Sequence, residues 1–448
     1  MDFEPVSARA WKQKIQADLK GGDYNELLTW LSPEGITVKP FYTEGDLPEG
    51  SGRQMGPHPL KWQIGHAADP ESEEGITLAR EALEQGADGL LASVNPANSG
   101  GISKLKSLTG TKWIDVQGVG PERFESLQKM GDASIEWLLD PIGNLAATGN
   151  WSEGMAADLA GLGAPMRASA GKKALAVHLS QYQNAGANRV QELAYGLAHV
   201  HEYLLRANEI PGIEPLLDRP VFLVAIGNEY FFEIAKLRAL RSLWELLAKP
   251  AGFSGNCRII AFPTQRNKTI YDYNTNMLRT SMECMAAVIG GADVVVNFPY
   301  DGLYHKPNAF ADRIARNQLL LLRHESYFSS VSNPADGAYY IASLTDQLGK
   351  RALDLFKTLE KGGGFLKQLK EHRIQKKIRE SAQVEQQAFD EGRLILVGSN
   401  KYANPGDSMK EDLQRNPFLK IRDDKTLIEP ILPRRLSEGY EQKRLGDE

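Results

Sequence analysis

Few side chains in this sequence stand where chemistry would be done. In a chain of strand–helix repeats, reactive groups gather at the carboxyl ends of the strands. Those positions hold Asn95, Gln117, Asp140, Gln181, Asn228 and Asp301. Asp140 and Asp301 are the carboxylates among them. Acid–base work would need a histidine or lysine beside each, and the sequence shows no evident partner for either. His178 lies on a strand-like run with its side chain directed inward, where a histidine is more often held by hydrogen bonds than used in catalysis. His199 and His201 are two apart on a helical stretch, so they do not share a face; packing or surface roles are expected rather than a metal pair. Gly171-Lys172 has the look of a phosphate-loop ending. Met166, however, stands where the loop needs glycine, and Lys173 where it needs a hydroxyl. No G-x-S-x-G elbow offers a hydrolase nucleophile. The expectation is therefore no catalytic, cofactor-binding or metal-ligating residue.

The elements that would position these groups alternate strand and helix. Strand-like runs fall at 59–65, 88–94, 111–118, 134–140, 173–180, 220–227, 257–263 and 292–298. Between and after them lie amphipathic stretches at 188–207, 229–248, 275–290 and 309–325. In the first of these, Val190, Leu193, Ala194, Leu197, His201 and Leu204 repeat at helical spacing. Such alternation implies βαβ units and a parallel sheet. An open doubly wound sheet would carry a glycine-rich dinucleotide turn after an early strand, and none is present. The fold class expected is α/β, a (β/α)8 barrel over residues 56–330.

Period-two alternation sorts the strand residues into two faces. In 173–180, Leu175, Val177 and Leu179 face the helices and leave Ala174, Ala176, His178 and Ser180 inside; Leu60, Trp62 and Ile64 likewise alternate with Lys61, Gln63 and Gly65. Small and polar inner residues suggest a bore able to hold something, or a core of satisfied polar groups. Residues 1–55 read as an arm: Ser7 caps a helix with Trp11, Ile15 and Leu19 on one face, then Pro33, Gly35, Pro40, Gly45, Pro48 and Gly50 break regular structure. Residues 331–448 read as a helical extension, interrupted by Gly362–Gly364, with one strand at 391–398 and a charged tail from 404.

Composition narrows the function class. Lys and Arg number 52 against 57 Asp and Glu, a net charge of −5, so there is no basic footprint for nucleic acid or an anionic membrane. The opening MDFEPVSARAW lacks a secretory pattern, and no apolar run is long enough to span a membrane. Two cysteines, Cys257 and Cys284, give neither a disulfide framework nor zinc-like spacing, which fits a reducing cytoplasm.

Several long blocks then resemble one family. The arm reads F-x-P-V-S-x-x-x-W (Phe3 to Trp11), DLKG (Asp18 to Gly21) and SPEGITVKPFYTEGDL (Ser32 to Leu47). The barrel region holds QNAGANRVQELAYGLA (Gln183 to Ala198), FFEIAKLRALRSLW (Phe231 to Trp244), NMLRTSMECMAAVIGGA (Asn276 to Ala292) and ADRIARNQLLLLRHES (Ala311 to Ser326). NPADGAYYIASLT (Asn333 to Thr345) and VGSNKY (Val397 to Tyr402) complete the series. In order and spacing these are similar to the methylmalonyl-CoA mutases. The resemblance implies a dimer of barrels that interconverts methylmalonyl-CoA and succinyl-CoA. Adenosylcobalamin supplies the radical, and the CoA ester threads the barrel bore.

Departures from the family pattern point away from catalysis. No Asp-x-His-x-x-Gly loop, whose histidine ligates cobalt, occurs, and the residues after Tyr402 are too few for the domain that carries it. Alignment on Gln183 to Ala187 puts Ser180 and Gln181 where the family has a catalytic Tyr-His pair. The family's tyrosine on the first strand falls at Ile64, Gly65 or His66, and 251–300 contains no histidine. Gly65, His178, Ser180 and Gln181 are thus degenerate pocket positions. The resemblance implies a non-catalytic small subunit that binds no cofactor itself and pairs, as a heterodimer, with a large catalytic subunit holding adenosylcobalamin. Alternatives are the barrel half of a split acyl-CoA mutase, or a barrel that binds an acyl-CoA.

Overall fold

The computed structural model describes residues 6–47, 59, 61–95, 99–419 and 425–448. Eight parallel strands close into a barrel in which each pairs with its sequence neighbours and the last returns to the first. They are β1 Gln63–Ala67, β2 Gly89–Val94, β3 Thr111–Val116, β4 Ile135–Leu139, β5 Lys172–His178, β6 Val221–Ile226, β7 Arg258–Pro263 and β8 Val294–Asn297. Each of the eight barrel strands expected from the sequence is present, so the (β/α)8 expectation holds. Leu60 lies outside the described residues. β5 stops at His178, two residues short of the expected end, because Ser180–Asn184 turns into a short helix.

Local signals set the flanking helices. Asn188 caps Arg189–Leu205 in a reciprocal box with Gln191, and Asp140 caps Pro141–Thr148 with proline at its first turn. Outward residues such as Ile64, Leu175 and Val177 join the large core between strands and helices. Inward residues form a second core: Trp113, Leu138, Ala174, Ala176, Val221, Leu223, Ile260, Val294 and Val296, all buried. Of the two readings left open, a bore able to hold something and a core of satisfied polar groups, neither describes the middle of the barrel, which is filled by apolar side chains. The small residues are the complement of one large one. A Cβ at Gly89 would lie 2.8 Å from the Trp113 ring, and one at Gly65 would lie 2.6 Å from Val296 Cγ2. Below this plug Glu136 pairs with Arg258 and Lys172.

The arm divides in two. Ser7 caps Ala8–Asp18 as expected, but none of that helix is buried and Trp11 stays 51% exposed. Residues 30–38 instead dock on the chain's own barrel: Ile36 and Val38 are buried, Trp30 lies 5.7 Å from Phe232, and Arg351 donates to the Gly35 carbonyl at 2.8 Å. The extension comprises Tyr339–Lys361, Phe365–Lys370 and Arg373–Asp390, broken at the expected glycines. The strand expected at 391–398 does not form. Asn400 holds that segment as a turn, accepting from Leu396 N and donating to the Phe389 and Leu394 carbonyls, which leaves only a bridge between Val397 and Lys401.

If Trp113 is the plug, Trp113→Ala empties the barrel centre and lowers the unfolding free energy by about 3–5 kcal/mol, read by chemical denaturation. A loss below about 1 kcal/mol would mean that the interior is not packed around this ring.

Candidate functional site

The carboxyl ends of β2 to β5 converge on one carboxylate. Asp140, directly after β4, is buried and accepts five hydrogen bonds. Oδ1 takes Gly143 N at 2.8 Å, His199 Nε2 at 2.8 Å and Tyr203 OH at 2.7 Å; Oδ2 takes His178 N at 3.0 Å and His178 Nδ1 at 2.8 Å. His178 Nε2 reaches Asp115 Oδ1 at 3.0 Å, and Asp115 Oδ2 accepts from Gln117 Nε2 at 2.7 Å and Ser93 Oγ at 3.3 Å. On the far side the Tyr182 hydroxyl meets His199 Nδ1 at 2.9 Å. The absence of a histidine partner for Asp140 is thereby corrected: its two imidazoles lie 38 and 59 residues along the chain. Asp301 is corrected too, since Oδ2 accepts from His305 Nδ1 and Asn308 Nδ2, each at 2.9 Å. His199 and His201 do point apart, His201 pairing with Glu360 at 3.0 Å.

Charge in this network is tightly held. Burial alone would raise the Asp140 carboxyl, but the pull of His199 and the hydrogen bonds from both imidazoles outweigh it and keep it well below the usual carboxylate range. Burial would lower His178; the charge and hydrogen bond of Asp115, with those of Asp140, overcome it and push the imidazole up to about 10. Such a histidine is a fixed cation at neutral pH, not a proton shuttle. Both ring nitrogens of His178 and of His199 are engaged. Neither offers a lone pair to a metal or to cobalt.

Of the four positions expected to form a degenerate pocket, His178 lies in the Asp140 network and the other three lie elsewhere. Gly65 faces the plug, Ser180 is buried in the turn after β5, and Gln181 leaves Nε2 buried without a partner among the described residues. His66 turns outward, 3.5 Å from Asp312. Burial, with the charge of Arg316 adding to it, drives this imidazole down to about 4, and burial lifts Asp312 to about 6 against Arg316. Gln117 joins the Asp115 network, Asn228 lines a chamber over β5 to β7, and Asp301 lines a cavity of about 250 Å³ beside β1 and β8. The sequence reading missed Asp115, Tyr182 and Tyr203. Asp115 shares an inward face with Trp113 by alternation, so that signal was present; the tyrosines lie on helices and had none.

The last stretch of chain lies on the same mouth. Arg434 N donates to the Asn184 carbonyl and Leu436 N to that of Arg266, each at 2.9 Å. Arg435 reaches the Lys268 carbonyl at 3.1 Å, Ile270 N donates to Glu441 Oε1 at 3.0 Å, and Tyr271 OH to Glu448 at 2.7 Å. Met409 joins Ile270, Tyr271 and Tyr304 in a small core of its own there.

A family model described as methylmalonyl-CoA mutase matches residues 167–426. The methylmalonyl-CoA mutase small subunit of Porphyromonas gingivalis is 30% identical over 446 residues, covering 90% of this chain and 71% of that protein. The chain belongs to the methylmalonyl-CoA mutase family. The small subunit of Streptomyces virginiae is 31% identical over 410 residues, covering 81% of this chain and 65% of that protein. The large subunit from the same organism is 28% identical over 460 residues, covering 88% and 62%. In this mutase-family barrel, then, a closed Asp–His–Asp network crosses the mouth. Among the described residues no helix is long and apolar enough to cross a membrane, and no group of three acidic, histidine or cysteine side chains is placed to hold a metal ion.

The sign of the His178 shift gives a pH test. A folded-state value raised from 6.5 to about 10 means that the folded chain holds this proton more tightly than the unfolded one. The stability it contributes is complete below pH 6.5 and is lost as pH climbs toward about 10. The difference in unfolding free energy between the native chain and His178→Asn should therefore shrink over that window. A difference that grows with pH would contradict the assigned cation.

Proposed function

We propose that this chain is the non-catalytic small subunit of a heterodimeric methylmalonyl-CoA mutase, supporting a large subunit that interconverts methylmalonyl-CoA and succinyl-CoA. The observation that carries the proposal is the filled barrel. A CoA ester threading the bore would need the volume taken by Trp113, Leu138, Leu223 and Ile260, which are buried against one another. The same plug speaks against a barrel half that works with a separate cobalamin chain, and against an acyl-CoA-binding bore.

The residues present do not fit adenosylcobalamin. The histidines at the mouth have no free nitrogen, and the C-terminal stretch from Arg434 to Glu448 covers the loops after β5 and β7. The cofactor belongs, on this reading, to the large subunit. What this chain supplies is a rigid body and surfaces for pairing. Residues 1–55 serve as the contact arm, 56–330 as the barrel and 331–448 as the extension that braces it. The unburied helix Ala8–Asp18, with Trp11 exposed, suits a contact made outside this chain. Cys257 and Cys284 are both free and buried, which suits the cytoplasm.

The test is a mutase assay with methylmalonyl-CoA and excess adenosylcobalamin on this chain alone, on its large subunit alone, and on the pair. Turnover is expected from the pair and not from this chain. The double variant Ser180→Tyr, Gln181→His should remain inactive by itself, because it leaves the plug in place. Turnover from either form of the lone chain would overturn the proposal.

A further inference from the structure

The cavity of about 250 Å³ beside β1 and β8 has a buried polar side chain on its wall that the fold leaves unused. That residue is His66, turned away from the barrel axis, its side chain keeping 8% of its surface accessible. Burial, with Arg316 adding to it, keeps the imidazole neutral at physiological pH. A neutral ring carries one donor and one acceptor. Among the described residues neither nitrogen makes a hydrogen bond: Asp312 Oδ1 stands 3.5 Å from Nε2, whereas a good N–H···O contact closes to about 2.9 Å. His178 and His199, by contrast, have both nitrogens engaged. A buried imidazole left open in this way is unfavourable until a partner enters.

The rest of the wall says what kind of partner. Asp301 accepts through Oδ2 from His305 and Asn308, each at 2.9 Å, and Asp69 accepts from Glu71 N at 3.0 Å and Ser72 Oγ at 3.3 Å. Lys268 is held by Glu283 at 2.7 Å, and Asp312 faces Arg316 at 3.5 Å. The groups left unclaimed at the rim are basic. Lys306, in the loop after β8, is exposed and has no acid partner among the described residues. Arg415 is 45% exposed and stays 3.6 Å from Asp69, beyond hydrogen-bonding range. Helices Glu73–Glu84 and Ala309–His324 both begin here, since Gly75 and Asp312 of their first turns line the cavity. The positive ends of two helices favour an anion.

We propose that this cavity binds a small phosphorylated polyol, with a hydroxyl seated between His66 and Asp312 and the phosphate at the rim on Lys306 and Arg415. A hydroxyl is donor and acceptor at once. It can accept from a His66 ring N–H and donate to Asp312, and one oxygen sits about 2.8 Å from both atoms of a pair this far apart. Two cations at the rim match the double charge of a phosphate monoester better than the single charge of a carboxylate. The loops after the last two strands, beside a helix N-terminus, are also where (β/α)8 barrels frequently hold phosphate. Phe298 and Tyr300 give the carbon chain an apolar wall. The inference does not depend on the non-catalytic reading.

Isothermal titration of the full chain with glycerol 3-phosphate tests it, with ethyl phosphate, glycerol and inorganic phosphate as comparators. Saturable binding of glycerol 3-phosphate is expected, about tenfold tighter than that of ethyl phosphate or inorganic phosphate, and none of glycerol. His66→Leu should remove the preference for the hydroxylated ester and leave ethyl phosphate binding unchanged. Lys306→Ala, at an exposed side chain, should weaken both esters by about tenfold while the unfolding midpoint stays in place. No saturable heat from glycerol 3-phosphate, equal affinity for ethyl phosphate or inorganic phosphate, or a preference that survives His66→Leu would each overturn the proposal.

Discussion

The buried carboxylate of Asp140 is the constraint on which the upper half of the barrel depends. One side chain closes the end of β4, caps the helix that follows, fixes His178 at the end of β5 and anchors Tyr203 and His199 from helix Arg189–Leu205. A buried anion is tolerable only when its lone pairs are filled with good geometry. Here they are filled by groups from three different elements, so their relative placement is fixed by one electrostatic requirement. Asp115 extends the same logic to β3. The result is a rigid polar layer whose protons are spoken for, the reverse of the loosely held acid and base that proton-transfer catalysis needs.

Beneath that layer the barrel has settled on packing. Gly65, Gly89, Ala174 and Ala176 bring backbone close to the axis, and the indole of Trp113 takes the space they leave. Interiors of this density do not open for a ligand without losing contacts on all sides. Small residues that in isolation look like room for a substrate are here the receptacle for a neighbour's ring. The polar layer, the plug and the covering C-terminal stretch all oppose entry along the axis. The open volume lies off it, between the arm and the loops after β5 to β7.

The arm shows how one segment can serve two ends. Glu34 is drawn into a buried ion cluster, and Ile36 and Val38 add apolar burial of their own, so residues 30–38 behave as part of the barrel. The preceding helix has no such anchor and turns Trp11 to solvent. The boundary between what packs on the barrel and what stays exposed thus falls inside the arm.

The sequence by itself determined the barrel strands, the helices between them and the closure. Period-two and period-3.6 patterns are local, and cap residues such as Ser7, Asn188 and Asn308 act within a turn. It also determined the family, through long blocks in order. The turn at 391–400 was beyond it, because the apolar run there is strand-like and only the capture of Asn400 by the Phe389 carbonyl decides otherwise. The tertiary structure alone decided the site. Asp140 meets His178 and His199 across 38 and 59 residues, Glu34 meets Arg189 across 155, and the glycines that admit Trp113 lie on other strands. Whether an inward residue lines a pore or fills it depends on seven other strands at once. No local pattern encodes that sum.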